Sequence, residues 1–305
     1  MGPDYMRISY SRIREWLTCR WRYNLTYRQY FKPIGLPSVG LRDGSAFHKM
    51  MESFYRPGQV KFPTIATLRR KFNKMDILEE DRERAWHWVE AYVEQATRHQ
   101  IREPDLVILS EFPFAVRLDA QYLRQHGVKT KVDFVGIIDL VVARRKKVEI
   151  WDHKVLSNLP SANMLDHATV SFPQTGLYPW ASRRLGFPIE RAIINCMGKR
   201  KAGGTLERYP VDVPEYEAEM WGKWLHDIAI EMIAAPEILP KNLGSLACDW
   251  CEFRYPCYKH QSEGAGGLRR SLESGFTNEG QPYKRDWQTS FPTAAIRKMK
   301  EVIGA

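Results

Sequence analysis

Two runs of apolar residues, rich in β-branched side chains, stand on either side of a charged segment near the middle of the chain. The runs cover Val132–Val142 and Val148–Trp151, and the charged segment is Arg144–Lys147. Apolar runs of this length around a polar turn predict two neighbouring buried strands of one hairpin. Each run has one carboxylate beside or within it. Asp139 lies within the first run, and Asp152 directly follows the second.

The second predicted strand ends in Asp152, His153 and Lys154. Because strand side chains alternate between faces, Asp152 and Lys154 share one face and His153 points to the other. A buried carboxylate or ammonium without a partner is costly, so the pattern indicates a metal or a charged ligand. Acids and a lysine on one sheet face suit metal-assisted phosphodiester hydrolysis. A structural ion pair is the alternative that these residues alone leave open.

The segments before this hairpin combine helical patterns with one further strand. A helix is predicted to begin near Ser45 and to carry His48, a residue that could bind a divalent metal as neutral imidazole. Residues 64–100 have helical periodicity and form a predicted helical insert. An apolar strand over Leu106–Leu118 contains one acid, Glu111.

The segments after the hairpin continue this alternation of helices and strands, which predicts an α/β fold. A helical stretch over Ser161–Leu185 places Gln174 and Tyr178 one turn apart, and Ile189–Met197 reads as another strand. From Ser262 to Gly267 the sequence indicates a glycine-rich linker, and a short amphipathic helix is predicted at Pro292–Ile303. We therefore expect residues 261–305 to be an extension that is flexible or binds a partner.

The composition supports a packed core and a polyanionic partner. The chain has 305 residues, of which 44% are hydrophobic, and it includes 10 Trp and 14 Tyr. Its formal net charge is +10, and clustered cations gain free energy by displacing counterions from phosphates. No apolar run long enough to span a membrane and no signal-peptide segment is evident, so a cytoplasmic protein without a membrane role is expected.

Four of the five cysteines form a pattern with metal-ligand spacing. Cys248, Cys251 and Cys257 are grouped near the end of the chain, and Cys19 lies near its start, whereas Cys196 sits in an apolar strand. Four thiolates suit a structural zinc ion or an iron–sulfur cluster. The three-plus-one arrangement favours a [4Fe-4S] cluster, and free buried thiols are the remaining alternative.

Four short motifs occur in a characteristic order. They are GSAFH at Gly44–His48, GIID at Gly136–Asp139, WDHK at Trp151–Lys154 and QTGLY at Gln174–Tyr178. Together with the cysteine pattern, they resemble the PD-(D/E)xK nuclease superfamily, and most closely its RecB-like branch with a four-cysteine iron–sulfur cluster. CRISPR-associated adaptation nucleases and helicase-linked nuclease domains belong to this type. The resemblance implies a restriction-endonuclease-like core with a mixed central sheet flanked by helices, plus the helical insert and a cluster subdomain.

The resemblance also implies a metal site. His48, Asp139 and Asp152 would bind Mg²⁺ or Mn²⁺, together with the backbone carbonyl of His153. The position of Glu111 inside an apolar strand predicts either that it lies at an edge of the sheet or that it supports these ligands without being one of them.

The catalytic residues implied by the resemblance are Asp139, Asp152, Lys154, Gln174 and Tyr178. Lys154 would orient the attacking water and offset charge in the transition state. Gln174 and Tyr178 would contact DNA or support the site. Cys19, Cys248, Cys251 and Cys257 would hold the cluster.

These inferences predict a nuclease domain over residues 1–260 and a Mg- or Mn-dependent deoxyribonuclease, expected to act as an exonuclease on DNA ends or single strands. Two other classes stay open. One is a zinc-stabilised nucleic-acid-binding module without catalysis. The other is a DNA-processing subunit that works with a recombination, repair or CRISPR-adaptation protein.

Overall fold

The computed structural model describes residues 5–35, 38–58, 62–97, 104–198, 204–243, 246–278 and 286–304. Contacts divide the chain into two compact units. Unit 1 comprises Met1–Leu36, Arg117–Val135 and Leu225–Asp286, and unit 2 comprises Pro37–Val116, Gly136–Trp224 and Trp287–Ala305.

Eight strands are present in the described ranges. They are β1 (Tyr5–Ile8), β2 (Phe31–Pro33), β3 (Leu106–Arg117), β4 (Lys131–Arg144), β5 (Lys147–Leu156), β6 (Arg191–Gly198), β7 (Thr205–Asp212) and β8 (Phe276–Asn278).

The helices of the first half are α1 (Tyr10–Thr18), α2 (Arg20–Tyr23), a π-helical turn (Asn24–Arg28), α3 (Val39–Phe54), α4 (Ile65–Phe72), α5 (Glu79–Thr97) and α6 (Ala120–Gln125). Those of the second half are α7 (Ala162–Asp166), α8 (Ala168–Ser171), α9 (Gln174–Arg184), α10 (Glu215–Ala234), a 3₁₀ turn (Leu246–Trp250), α11 (Arg254–Gly275) and α12 (Thr293–Ile303).

The central sheet contains both parallel and antiparallel pairs. In unit 2 the strand order is β4-β5-β6-β7, and β3 also pairs with β4. The β5–β6 pair is parallel, whereas β4–β5 and β6–β7 are antiparallel. In unit 1, β1 pairs in parallel with the first residues of β4, Lys131–Phe134. The predicted α/β fold with a mixed central sheet is therefore confirmed.

The predicted hairpin is present as β4 and β5, each longer than the apolar run that predicted it. Arg145 and Lys146 connect the strands with φ values of 52° and 59°. Two consecutive residues with positive φ match the twist of the flanking strands and give the tightest hairpin connection. The hairpin therefore brings Asp139 and Asp152 onto adjacent strands.

The core of unit 2 forms where α3, α4 and α5 pack on the sheet. Its largest fully buried side chains are aromatic and include Phe47, Phe54, Tyr55, Tyr92 and Trp151. Rigid aromatic packing of this kind fixes the position of α3, the helix that carries His48.

Two predictions about local structure were wrong. Helix α3 begins at Val39 and not near Ser45, because Gly44 adopts helical geometry within it and does not break it. The predicted linker at 262–267 is part of α11, which is kinked at Gly264, where φ is 65°.

The segment after Trp287 packs within unit 2. Gln288 pairs with β3, since the amide of Ala115 donates to its carbonyl at 2.8 Å and its own amide donates to the carbonyl of Pro113 at 3.1 Å. The rings of Phe112 and Phe291 lie 5.3 Å apart. The helix predicted near the end of the chain is confirmed as α12. Gln288 and Phe291 thus contact β3.

None of the helices in the described ranges is both long and apolar enough to cross a membrane.

Candidate metal centre and active site

The hairpin holds the first carboxylate of the site through the backbone of its second strand. The amide of His153 donates to Asp139 Oδ2 at 2.7 Å. This bond fixes the carboxylate against β5 and leaves its second oxygen for another partner. Asp139 therefore has a defined orientation before any ligand binds.

Helix α3 and strand β3 bring two further groups to Asp139. His48 Nδ1 lies 3.6 Å from Asp139 Oδ2 and 3.9 Å from Glu111 Oε1. The ligand atoms of these three residues all lie within 4.8 Å of one another, and no other group of three His, Cys, Asp or Glu side chains in the described part of the chain meets that distance. Imidazole and carboxylate ligands at this separation can hold a divalent metal.

Glu111 has an unusual backbone for a residue inside a strand. Its φ is 47°, in the left-handed region. This backbone conformation is less favourable by about 1–2 kcal/mol for a residue that has a Cβ atom. Such irregularities in strands re-aim side chains next to active sites. The carboxylate of Glu111 thus lies within 4.8 Å of ligand atoms of His48 and Asp139.

The second carboxylate pairs with the lysine, as the alternation of strand faces predicted. Lys154 Nζ lies 2.7 Å from Asp152 Oδ2 and donates to Gln174 Oε1 at 2.8 Å. Gln174 Nε2 in turn donates to Tyr178 Oη at 2.9 Å. The structure thus joins Asp152, Lys154, Gln174 and Tyr178 in one chain of polar contacts.

Gly136, the first residue of the GIID motif, lets the rings of Phe114 and Tyr178 lie close to β4. A Cβ atom at Gly136 would lie 2.8 Å from the ring of Phe114 and 3.3 Å from that of Tyr178. The close approach of these rings to β4 therefore requires glycine. This explains why the motif begins with that residue.

Burial disfavours the ionised form of Asp139 unless a cation is bound. Burial and the nearby Asp152 raise the pKa of Asp139 to about 7, although His48 acts in the opposite direction. Burial also disfavours protonated His48, but Asp139 and Glu111 outweigh it and the pKa of His48 is raised. Burial raises the pKa of the Tyr178 hydroxyl, so Tyr178 stays neutral.

The residues fit a divalent metal. Asp152 Oδ2 is buried and pairs with Lys154 Nζ at 2.7 Å, but Asp139 and Glu111 add two further carboxylates to the site. Several carboxylates brought together in a partly buried site are costly unless a cation binds them. Oxygen ligands with one imidazole suit Mg²⁺ or Mn²⁺. His48, Glu111, Asp139 and Asp152 are the side chains that would hold the ion.

The four cysteines of the predicted cluster lie around one cavity of unit 1. Cys19, Cys248, Cys251 and Cys257 line one cavity of about 210 Å³, together with Trp21 and other residues. Burial raises the pKa of Cys251 to about 11, so its thiol is protonated without a metal. No three of the described cysteine sulfurs lie within 4.8 Å of one another.

Sequence reasoning missed the buried residues behind His153. Asn195, on β6, contacts the His153 ring, with Asn195 Nδ2 2.6 Å from His153 Nδ1. Arg208 on β7 donates to Asn195 Oδ1 at 3.1 Å. The signal that could have found Asn195 is a fully buried polar residue within the apolar run Ile189–Met197.

Residues 7–258 match the family model of the PD-(D/E)XK nuclease superfamily. The chain belongs to this superfamily, and its mixed sheet flanked by helices is consistent with a restriction-endonuclease-like fold. Members of the superfamily use divalent metals, which agrees with the acidic site.

Among solved structures, the chain is similar to a candidate exonuclease from Eubacterium rectale, with 11% identity and a TM-score of 0.47 over 81% of this chain and 88% of that chain. It is also similar to SSO0001, with 14% identity and a TM-score of 0.33 over 70% of this chain and 95% of that chain. No curated protein matches the chain.

Proposed function

We propose that the protein is a metal-dependent DNA nuclease. The observation that carries this proposal is the convergence of His48, Glu111 and Asp139 beside the Asp152–Lys154 pair. A structural ion pair alone would not require three further titratable groups at the same place. The net charge of +10 supports a phosphate-rich substrate.

The side chains have separate tasks in hydrolysis of a phosphodiester. His48, Glu111, Asp139 and Asp152 would hold a divalent cation, which would polarise a phosphoryl oxygen. Lys154 Nζ, held by Gln174 at 2.8 Å, donates a hydrogen bond that aligns the attacking water.

The reaction adds water to phosphorus and breaks one P–O bond. The hydroxyl oxygen of the water becomes part of a 5′-phosphate, and a proton goes to the leaving 3′-oxygen. The positive charge of Lys154 offsets the negative charge that develops on the phosphoryl oxygens. The resemblance to the superfamily implies products with 5′-phosphate and 3′-hydroxyl ends.

We propose that the activity is that of an exonuclease of the RecB-like branch, acting on DNA ends or in single strands. The test is digestion of end-labelled single- and double-stranded oligonucleotides, and of linear against circular DNA, with Mg²⁺ or Mn²⁺. Degradation of linear DNA that spares circles would support this proposal. Cutting of circular duplexes at the same rate would replace it with an endonuclease, and no metal-dependent cutting of any DNA would refute the nuclease itself.

We also propose that unit 1 carries a structural [4Fe-4S] cluster on Cys19, Cys248, Cys251 and Cys257. Their shared cavity of about 210 Å³ supports this. Tetrahedral zinc with bonds of about 2.3 Å needs sulfurs roughly 3.8 Å apart, whereas no three of the described cysteine sulfurs lie within 4.8 Å of one another. A larger group therefore suits them better than a single zinc ion.

A further inference from the structure

A row of three polar side chains crosses the sheet behind the carboxylates. His153 on β5 is the register partner of Asn195 on β6, and Asn195 is the register partner of Arg208 on β7. Register partners carry their side chains on the same face. This face is opposite to that of Asp152 and Lys154 and is covered by α3 and α5.

The hydrogen bonds of Arg208 decide how the Asn195 amide is oriented. Arg208 Nε donates at 3.1 Å to the Asn195 atom assigned as Oδ1. A guanidinium has only donors, so the amide atom facing it must be the oxygen. The amide nitrogen of Asn195 therefore points away from Arg208, towards Tyr92 and His153.

The amide nitrogen then uses both of its hydrogens. Asn195 Nδ2 donates to Tyr92 Oη at 2.8 Å and lies 2.6 Å from His153 Nδ1. Because this nitrogen can only donate, His153 Nδ1 must accept, and the ring proton belongs on Nε2. The contacts with Arg208 and Asn195 thus select one neutral tautomer of His153.

The same network reaches the helix that carries His48. Tyr55, which directly follows the last residue of α3, shares a hydrogen bond of 2.5 Å with Tyr92 Oη and stacks on the His153 ring at 5.7 Å. Arg208 Nη2 donates to both tyrosine hydroxyls at 3.3 Å. Helix α3 is therefore tied to the ring of the residue whose amide holds Asp139.

We propose that Asn195 is a positioning residue, which with Arg208 locks the His153 ring in its Nε2–H tautomer and so fixes Asp139 and α3 for metal binding. This role rests on the proposed function. His153 connects the Asn195–Arg208 hydrogen bonds to the metal site. Its ring contacts Asn195, and its backbone amide donates to Asp139 Oδ2 at 2.7 Å. Contacts that orient ligands from behind typically change metal affinity by about 10–100-fold.

The first test is the tautomer itself, measured by nitrogen NMR of the full chain labelled with ¹⁵N-histidine. Wild-type His153 should have a protonated Nε2 and an unprotonated Nδ1. In Asn195→Asp the carboxylate can still accept from Arg208 but cannot donate, so Nδ1 should become protonated. A protonated Nδ1 in the wild type would overturn the proposal, whether or not any variant folds.

The second test is the affinity for Mn²⁺ alone, measured by calorimetry. Asn195→Leu should weaken binding about 10–100-fold. The control is Ser182→Ala, since Ser182 is also fully buried and accepts from the Ile189 amide at 2.9 Å, but lies outside the network. The control should lose stability and keep its affinity.

Equal Mn²⁺ affinity in Asn195→Leu and the wild type would overturn the positioning role. A wild type that binds no Mn²⁺ would overturn both the proposed function and that role. The tautomer measurement would still decide the hydrogen-bond assignment in that case. The two failures are therefore distinguishable.

Discussion

Replacing Glu111 by glycine should give a metal-free protein that is more stable than the alanine variant at the same position. Glu111 has a φ of 47° within β3, which costs a residue with a Cβ atom about 1–2 kcal/mol. Glycine avoids this cost but loses about 0.5–1 kcal/mol of chain entropy relative to alanine. The glycine variant should therefore exceed the alanine variant by about 1 kcal/mol.

Urea denaturation with a chelator present measures this difference. The matched control is Ala115→Gly on the same strand, where φ is not positive and glycine should be destabilising by about 1–2 kcal/mol. Both Glu111 variants lose a carboxylate and should bind Mn²⁺ more weakly. If Glu111→Gly were less stable than Glu111→Ala by about 0.5–1 kcal/mol, the usual cost of glycine in a strand, then the positive φ of Glu111 would not be a source of strain.

Three other predictions concern pH, the cysteines and salt. Burial raises the pKa of Asp139 from 3.8 to about 7, so the folded metal-free protein resists losing a proton that the unfolded chain loses near pH 4. The contribution of Asp139 to stability should fall as pH rises from about 4 to 7, whereas the lowered pKa of buried His153 contributes in the opposite direction. Mn²⁺ should raise the melting temperature more at about pH 8 than at about pH 5, and an equal rise at both would contradict this. Cys251→Ser should lose both the brown colour of anaerobically purified protein and thermal stability, whereas a colourless wild type with one zinc would refute the iron–sulfur cluster. DNA affinity should fall steeply with salt, by about 0.9 in log–log slope for each phosphate contact on duplex DNA, and a flat dependence would mean that the basic charge serves another purpose.

The hairpin and its two carboxylates could be predicted because strand periodicity is local. The alternation of faces placed Asp152 beside Lys154, and the structure confirms it with a distance of 2.7 Å. The four-residue step from Gln174 to Tyr178 likewise predicted one helix face, and α9 joins the two side chains by a hydrogen bond of 2.9 Å.

Features that depend on tertiary context could not be predicted in this way. Nothing local in the sequence indicates the positive φ of Glu111, because β3 reads as an ordinary apolar strand. The sequence predicts a helix that begins near Ser45, but α3 begins at Val39 and includes Gly44, because the packing of α3 on the sheet outweighs the low helix propensity of glycine. The contacts from Arg208 through Asn195 to His153 depend on how β5, β6 and β7 are paired. That pairing register cannot be read from any one segment of the sequence.

The central claim is that Lys154 and the carboxylates beside it catalyse hydrolysis and do not merely form an ion pair. The most direct test measures melting temperature, DNA affinity and Mn²⁺-dependent cleavage on one preparation of Lys154→Ala. If Lys154 is catalytic, the variant should stay folded, bind DNA and cleave about 10²–10³-fold more slowly. A variant that folds, binds DNA and cleaves at the wild-type rate would contradict it, as would a loss of cleavage that only follows the loss of folded protein.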